Sequence, residues 1–399
     1  MYELLINYFR KVLPIHYGFM VLHRRINNIL NHKNNIKEIK KKLDNLDFNE
    51  YHKKKRKIPS RTSIEINNTC NLNCIMCNTK SSKRPFGDMN FSTFENILKQ
   101  LRDLGFNSIA LHTVGEPFLF KNLSRLFQII KKYNFKVSLS TNGQFPNRLN
   151  NLIQLYSDVL KRIRFSIDGA KPGTYEKIRR GASYNKLIES LEIIYKFNRS
   201  KINYKIDVKI DSILSLTNIY EIPLFFKVFG KYCWPEFINF HLINGLSPDT
   251  KYFWEAFPFP NLIRHMVPCD FPFRNIYFTY DGKVTLCCRD YDGDLIVGDL
   301  KEESLIDIWN GENSEDIRKQ HLNLKKLTID ACKRCYGAHF FAIEIVNDFI
   351  HYLHYNHSEI SPEEFGKNIL SLLKDMDQAM EKKDRFLLKQ KIIKHFIKS

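Results

Sequence analysis

Cys70-Asn71-Leu72-Asn73-Cys74-Ile75-Met76-Cys77 is the stretch on which the reading of the fold turns. Its cysteines are spaced C-x3-C-x2-C, and they follow residues 63–67, where polar and apolar side chains alternate as in a strand. A compact loop of this kind can aim three thiolates at one cubane. Three protein ligands for four irons leave one iron open to bind something else. No fourth Cys or His stands close by, since His52 and His112 are the nearest histidines on either side. A structural zinc site normally takes four ligands, often as two C-x2-C knuckles, and matches this loop poorly.

Downstream, strand-like and helix-like segments alternate. Helices are predicted over 91–106, 123–133, 149–160, 184–198 and 219–229. Ser92 with Glu95 fits a capping box for the first of them. Strands are predicted over 108–113, 136–141, 163–168, 206–214 and 237–242, so that with residues 63–67 six βα-type units form. Such a series argues for a parallel sheet or a partial barrel. Residues 245–268 carry four prolines and several aromatics and read as a connecting segment. Then 276–280 and 283–287 flank Asp281-Gly282, a β-hairpin with an Asp-Gly turn. The tail from 341 reads as helical, with Ser361-Pro362-Glu363-Glu364 a strong helix start.

The chain has 399 residues and a formal net charge of +19. Residues 1–62 hold 15 Lys and Arg against 5 Asp and Glu, so +10 lies in the first sixth of the chain. Lys40-Lys41-Lys42 and Lys53-Lys54-Lys55-Arg56-Lys57 punctuate what reads as a basic helical extension. Charge of this kind draws polyanions or an anionic membrane surface without specifying which, and a general over-use of Lys, Asn and Ile explains it as well. No stretch approaches the ~18–20 apolar residues of a spanning helix. A signal-peptide pattern is not evident at the N-terminus, and a cytoplasmic location is expected, where nine cysteines suggest metal ligands rather than disulfides.

The cysteine loop, placed after the first strand of a βα series, resembles the signature of the radical S-adenosylmethionine superfamily. The resemblance extends to three later strand ends: Gly115-Glu116-Pro117, Ser140-Thr141-Asn142-Gly143, and Ser166-Ile167-Asp168-Gly169 followed by Arg179. Each turn alone is an ordinary loop, but four in order lie where barrel active sites are built. The resemblance implies a partial (β/α)6 TIM-type barrel over 63–245, with Cys70, Cys74 and Cys77 on a [4Fe-4S] cluster whose open iron binds S-adenosylmethionine. Reductive cleavage of that cofactor then yields a 5′-deoxyadenosyl radical, with a flavodoxin or ferredoxin as the expected reductant. It also implies cofactor contacts from Gly115, Glu116, Asn142, Ser166 and Arg179: Glu116 to the amino group, Ser166 and Arg179 to ribose and carboxylate. Position 76, often aromatic in the family, is Met76 here, which can still cover adenine by soft apolar contact.

Five cysteines remain in the last third: Cys269, Cys287, Cys288, Cys332 and Cys335. The set resembles the twitch domain, a shortened SPASM domain, in which four cysteines hold an auxiliary [4Fe-4S] cluster. That implies a small iron–sulfur hairpin-and-helix domain over 269–340, after a 246–268 linker and before a helical tail over 341–399. Neighbours on a strand face opposite ways, so Cys287 and Cys288 cannot both be ligands if the strand continues that far; the hairpin favours Cys287, with Cys269, Cys332 and Cys335. Four thiolates would also suit zinc. Enzymes of this type act mainly on carbohydrates and amino-cyclitols or on ribosomal peptides. Residues 1–62 contain no strand pair for a peptide-leader wing, which favours a small or glycan-like substrate oxidised or epimerised at carbon. A peptide maturase and a non-catalytic iron–sulfur redox protein are the alternatives, and a nucleic-acid partner rests on charge alone. His112 and Asp168, at strand ends, are candidates for the base such an oxidation needs.

Overall fold

The computed structural model describes residues 57–200, 205–242, 255–263, 269–323, 327–333, 335, 340–382 and 385–398. The basic extension therefore lies outside the described residues up to position 56, as does much of the 246–268 linker.

Six strands run parallel in chain order: β1 (Arg61–Ile64), β2 (Ser108–Leu111), β3 (Lys136–Thr141), β4 (Leu160–Ser166), β5 (Asp207–Leu214) and β6 (Ile238–Leu242). Between them lie helices α1 (Phe91–Asp103), α2 (Leu123–Lys132), α3 (Pro146–Tyr156), α4 (Pro172–Ile178), α5 (Tyr184–Ser200) and α6 (Ile222–Phe229). This is the α/β partial barrel expected from the βα series. A seventh parallel strand, β7 (Asn275–Phe278), pairs with the far side of β1, and β8 (Lys283–Thr285) and β9 (Ile296–Asp299) continue antiparallel from it. The cysteine-rich hairpin is thus built into the barrel sheet, giving the order β6-β5-β4-β3-β2-β1-β7-β8-β9.

One face of every barrel strand is apolar and buried. Val137, Leu139, Ile163, Phe165, Val208, Ile210, Ile238 and Phe240 are at most 4% exposed and meet the helix layer. That layer presents matching stripes, such as Phe94, Ile97, Leu98 and Leu101 on α1. The other face, concave and inward, carries Ser63, Ser138, Arg162, Arg164, Lys209, Asp211, Asn239 and His241. Sheets covered on both faces normally read as unbroken apolar runs, so this alternation marks a polar cleft inside the barrel.

Several boundaries differ from the sequence reading. β1 starts at Arg61 and stops at Ile64; beyond it Glu65 N still donates to Phe278 O at 2.9 Å, and Asn67 makes only an isolated bridge to Asp88. α1 is capped by Asn90, whose side chain accepts from Thr93 N at 2.7 Å, so the Ser92–Glu95 capping box does not form. Ser92 instead donates to Asn90, while Glu95 receives Lys132 and Tyr133. α3 begins at Pro146, a residue suited to a first helical turn, and ends at Tyr156, which leaves Leu160 to β4 and Asp168 beyond that strand's end.

The tail closes the open side of the sheet. It forms α9 (Phe340–Asn356), α10 (Pro362–Glu381) and α11 (Arg385–Lys398), after two helices of the cysteine-rich part, α7 (Leu305–Asn310) and α8 (Glu312–Leu322). Ser361 caps α10 as its sequence suggests, accepting from Glu364 N. Asn347 on α9 lays its amide against β6, accepting from Phe240 N at 2.8 Å and donating to Phe240 O at 2.6 Å. One side chain thereby stands in for a missing strand at an otherwise unpaired edge. No helix among the described residues is long and apolar enough to cross a membrane. Replacing Asn347 by Ala orphans Phe240 N–H and should cost roughly 1–3 kcal/mol in denaturant unfolding. An unchanged midpoint would show that α9 does not hold this edge.

Candidate active site

The first cysteine loop is fixed at both of its sides. Asn73 N donates to Arg180 O at 2.9 Å and Ile75 N to Ile178 O at 3.0 Å, so the loop pairs with the segment that leaves α4. Glu116 N donates to Thr69 O at 2.7 Å, holding the loop's base against the end of β2. The approach is so close that Gly115 has φ +81°, and a Cβ there would stand 2.6 Å from Asn67 O. No L side chain fits that position.

Cys70, Cys74 and Cys77 share one neighbourhood. Burial raises the Cys70 thiol and pushes Cys74 up to about 11, and the charge of Cys77 raises both further. Arg179 pulls both down, and its Nη1 lies 4.0 Å from Cys74 Sγ. Thiols crowded in this way become thiolates together only if a cation is supplied among them, which is what an iron–sulfur cluster provides. Asn142 Nδ2 faces Cys70 Sγ at 3.9 Å and donates to Asn71 Oδ1 at 2.9 Å, so the end of β3 also braces the loop.

Of the remaining predicted cofactor contacts, Glu116 and Arg179 act on these thiols. Glu116 is 2% exposed; its carboxylate accepts from Phe118 N, Thr141 Oγ1 and Asn142 N. Burial lifts it to about 7 against those donors and the charge of Arg179. A carboxylate has about four acceptor sites, so one is left over. Ser166 ends β4 and is half-buried, and Met76 packs at the edge of the core. Arg179 is buried and pairs with Asp168 through Nη2 at 2.8 Å. Its Nε has no hydrogen-bond partner among the described residues. An orphaned guanidinium N–H beside three thiols fits a carboxylate-bearing cofactor. Asp168 is fully buried, takes Arg179 and accepts from Ile213 N at 2.6 Å. It braces the site from behind and does not front the cleft as a base would.

The second cysteine set lies where the β7–β8 hairpin opens out. Cys269, Cys287 and Cys335 act on one another, Cys335 acts on Cys332, and Cys335 N donates to Cys332 O at 3.2 Å. Burial, the largest influence, raises all four thiols. Arg289 is the cation among them, lowering Cys335, Cys287 and Cys269. β8 ends at Thr285, so the strand-alternation argument for Cys287 over Cys288 does not apply. The two differ only in part: Cys269 and Cys335 act on Cys287, while Cys288 also acts on Cys335 and in addition meets the Tyr277 hydroxyl and the charge of Arg164. Asp290, 4% exposed, gathers Thr285 Oγ1, Asp294 N and Leu295 N and so shapes this loop. Tyr291 lies between the two cysteine sets, acted on by Cys77 from one and by Cys287 and Cys288 from the other. Its carbonyl receives Arg84 Nε, while Arg84 forks onto Glu65 at 2.8 and 2.9 Å and so locks the hairpin loop to β1.

The polar inner face of β4–β6 carries charged residues that sequence reasoning missed. Asp211 is its hub: Oδ2 receives Arg164 Nε at 2.7 Å, and Oδ1 faces His241 Nε2 at 3.1 Å. Burial pushes Asp211 up, but His241, Arg164 and Lys209 outweigh it and hold the carboxyl well below its ordinary range. His112, one residue past β2, is exposed and lies close enough to Arg164 and Asp211 to feel both charges. Desolvation and Arg164 lower its imidazole, against Asp211. The signal for these residues was the charge at alternate positions of Arg162-Ile163-Arg164 and Asp207-Val208-Lys209-Ile210-Asp211.

Comparison with known proteins agrees with this geometry. The profile of the radical SAM superfamily matches residues 64–207, and that of an iron–sulfur cluster-binding (SPASM) domain matches 269–336. The chain belongs to the radical SAM superfamily and is an enzyme of that class, with a SAM-binding [4Fe-4S] cluster and an auxiliary iron–sulfur site. It is 24% identical over 290 residues to the S-adenosyl-L-methionine-dependent 2-deoxy-scyllo-inosamine dehydrogenase of Niallia circulans, covering 70% of this chain and 93% of that one. It is 29% identical over 176 residues to the GTP 3′,8-cyclase of Clostridium botulinum, spanning 41% of this chain and only 54% of the cyclase. Among solved structures, anSMEcpe with bound AdoMet superposes with a TM-score of 0.53 at 17% identity, covering 82% of this chain and 99% of that one, a likeness of fold.

Asp168→Ala would leave the buried Arg179 charge without its carboxylate. A loss of roughly 3–5 kcal/mol in unfolding free energy is expected. A change under about 1 kcal/mol would mean that Arg179 is satisfied by other groups.

Proposed function

We propose that this enzyme oxidises a secondary alcohol carbon of a small polyhydroxylated substrate, a cyclitol or sugar, to a ketone. The observation that carries this reading is the similarity to a dehydrogenase along 93% of that protein's length. In this reading Cys70, Cys74 and Cys77 hold the first cluster, and Cys269, Cys287, Cys332 and Cys335 hold the second. Gly115, Glu116, Asn142, Ser166, Arg179 and Met76 line the S-adenosylmethionine site. The free acceptor of Glu116 suits an ammonium group, and the orphaned Nε of Arg179 suits a carboxylate. An external reductant of the flavodoxin or ferredoxin type supplies the starting electron, and the reaction belongs to the cytoplasm.

Bound there, those groups would supply abstraction of a hydrogen atom from the carbinol carbon and an acceptor for one electron, which would leave the hydroxyl proton for the protein to remove. His241 is suited to take it. Asp211 faces its Nε2, so the tautomer with a proton on Nε2 exposes Nδ1 as acceptor. The same carboxylate offsets the positive charge that proton uptake creates, and Arg164 holds that carboxylate in place. The arrangement of base and orienting acid follows the logic of other acid–base dyads.

Two measurements test the reading. Changing Cys70, Cys74 and Cys77 together to Ala should lower iron from about eight to about four per chain, as one cubane is lost, and abolish release of 5′-deoxyadenosine. Iron unchanged by this substitution would remove the first assignment. The anaerobically reconstituted enzyme, given S-adenosylmethionine and 2-deoxy-scyllo-inosamine or related cyclitols, should form 5′-deoxyadenosine and ketone together. His241→Ala should slow ketone formation by about 10²-fold. Cofactor cleavage with no oxidised polyol across such a panel would sink the dehydrogenase reading.

A further inference from the structure

The inward face of β4, β5 and β6 carries more cations than its acids can neutralise. Arg162, Arg164 and Lys209 share it with Asp207 and Asp211 only, His241 aside. The carboxylate of Asp211 is already committed, to Arg164 through one oxygen and to His241 through the other. Lys209 is left at 3.7 Å from that second oxygen, beyond a good hydrogen bond, although its side chain is only 24% exposed. Arg162 gives Nη2 to Asp207 at 2.9 Å, and its buried Nε has no hydrogen-bond partner among the described residues. Its guanidinium reaches across β5 to lie 5.5 Å from the Phe237 ring, just ahead of β6. The next inward position on β6 is Asn239, whose buried Nδ2 likewise has no hydrogen-bond partner among the described residues.

Three under-used donors of one kind, N–H groups on Arg162, Lys209 and Asn239, thus line the same wall, and two of these residues are cationic. Burial and the charges of Arg164 and Arg162 depress the Lys209 ammonium, with only Asp211 favouring it, so a further negative charge would be welcome there. Buried donors without acceptors cost stability unless something accepts from them. Resting on the reading of a small polyol substrate, we propose that Arg162, Lys209 and Asn239 form an anion subsite, and that the substrate is a polyol bearing a phosphate or carboxylate. Charge-assisted bonds from Arg and Lys to such a group would anchor the substrate at β4–β6, below the level of His241. Neutral cyclitols would lack this anchor.

The test is equilibrium binding to the anaerobically reconstituted holoenzyme, which needs no turnover. An inositol monophosphate and glucuronate, the two sources of negative charge, are compared with neutral myo-inositol. At least one anionic polyol should bind about tenfold or more tighter than myo-inositol, a preference that shrinks as salt is raised. Whichever anion shows the preference identifies the group as phosphate or carboxylate. Lys209→Met and Arg162→Gln should each reduce the preference, and Lys209→Arg should keep it. Equal binding of charged and neutral polyols, no binding of any of them, or a preference untouched in both charge-removing variants would overturn the subsite. Failure of the dehydrogenase reading would look different: the anion would bind, but no oxidised product would form.

Discussion

Two backbone hydrogen bonds, Asn73 N to Arg180 O and Ile75 N to Ile178 O, decide where the first three thiols stand. They tie the cysteine loop to the chain leaving α4, the same short stretch that delivers Arg179 to Cys74. Arg179 is held in turn by Asp168 just past the end of β4, and Asp168 by Ile213 N in β5. One chain of contacts therefore links the loop after β1 to β4 and β5. Glu116 links it to β3 through Asn142 N and Thr141 Oγ1. A thiol set assembled from one loop would otherwise carry the conformational freedom of that loop; here the ends of four strands remove it.

The cysteine-rich segment is positioned by the same sheet. β7 pairs in parallel with β1, Arg61 opposite Asn275 and Ile64 opposite Phe278, so its hairpin starts from a rigid neighbour of the strand that leads into the first loop. Arg84 clamps the far side by bonding Glu65 and Tyr291 O together, and the Glu65 carboxylate is buried. Relative placement of the two cysteine sets then follows from strand register and one forked ion pair, and Tyr291 fills the space between them. The opposite edge is sealed by Asn347 of the tail, so the sequence outside the two domain profiles also shapes the barrel wall.

Much of this was legible in the sequence because it is local. The C-x3-C-x2-C spacing, the Asn142-Gly143 turn and the Ser361 helix start each depend on neighbours a few residues away. What escaped was set by long-range pairing. The Ser92–Glu95 box lost to Asn90 because the helix starts at Phe91, two residues before a Ser92 cap would start it, and Glu95 was drawn to Lys132 on the next helix. The role of β7 could not be read because its partner β1 lies more than 200 residues upstream. The choice between Cys287 and Cys288 was argued from a strand that stops at Thr285. Asp168 read as a cleft residue because the strand was set two residues late, which hid that its carboxylate turns toward Arg179.

The interior of the barrel presents the remaining physical problem. A barrel filled by Val and Ile is a packed core that adds stability, whereas this one faces inward with Arg162, Arg164, Lys209, Asp211 and His241. Charges taken from water cost free energy unless paired, and here a single carboxylate, Asp211, serves Arg164, His241 and, at a distance, Lys209. The stability that offsets this lies on the other face, where Ile163, Phe165, Ile210 and Phe240 meet the helices with no more than 1% of their surface exposed. The two faces of the same strands thus have opposed roles: the outer one holds the fold together, and the inner one stays polar at a cost in stability.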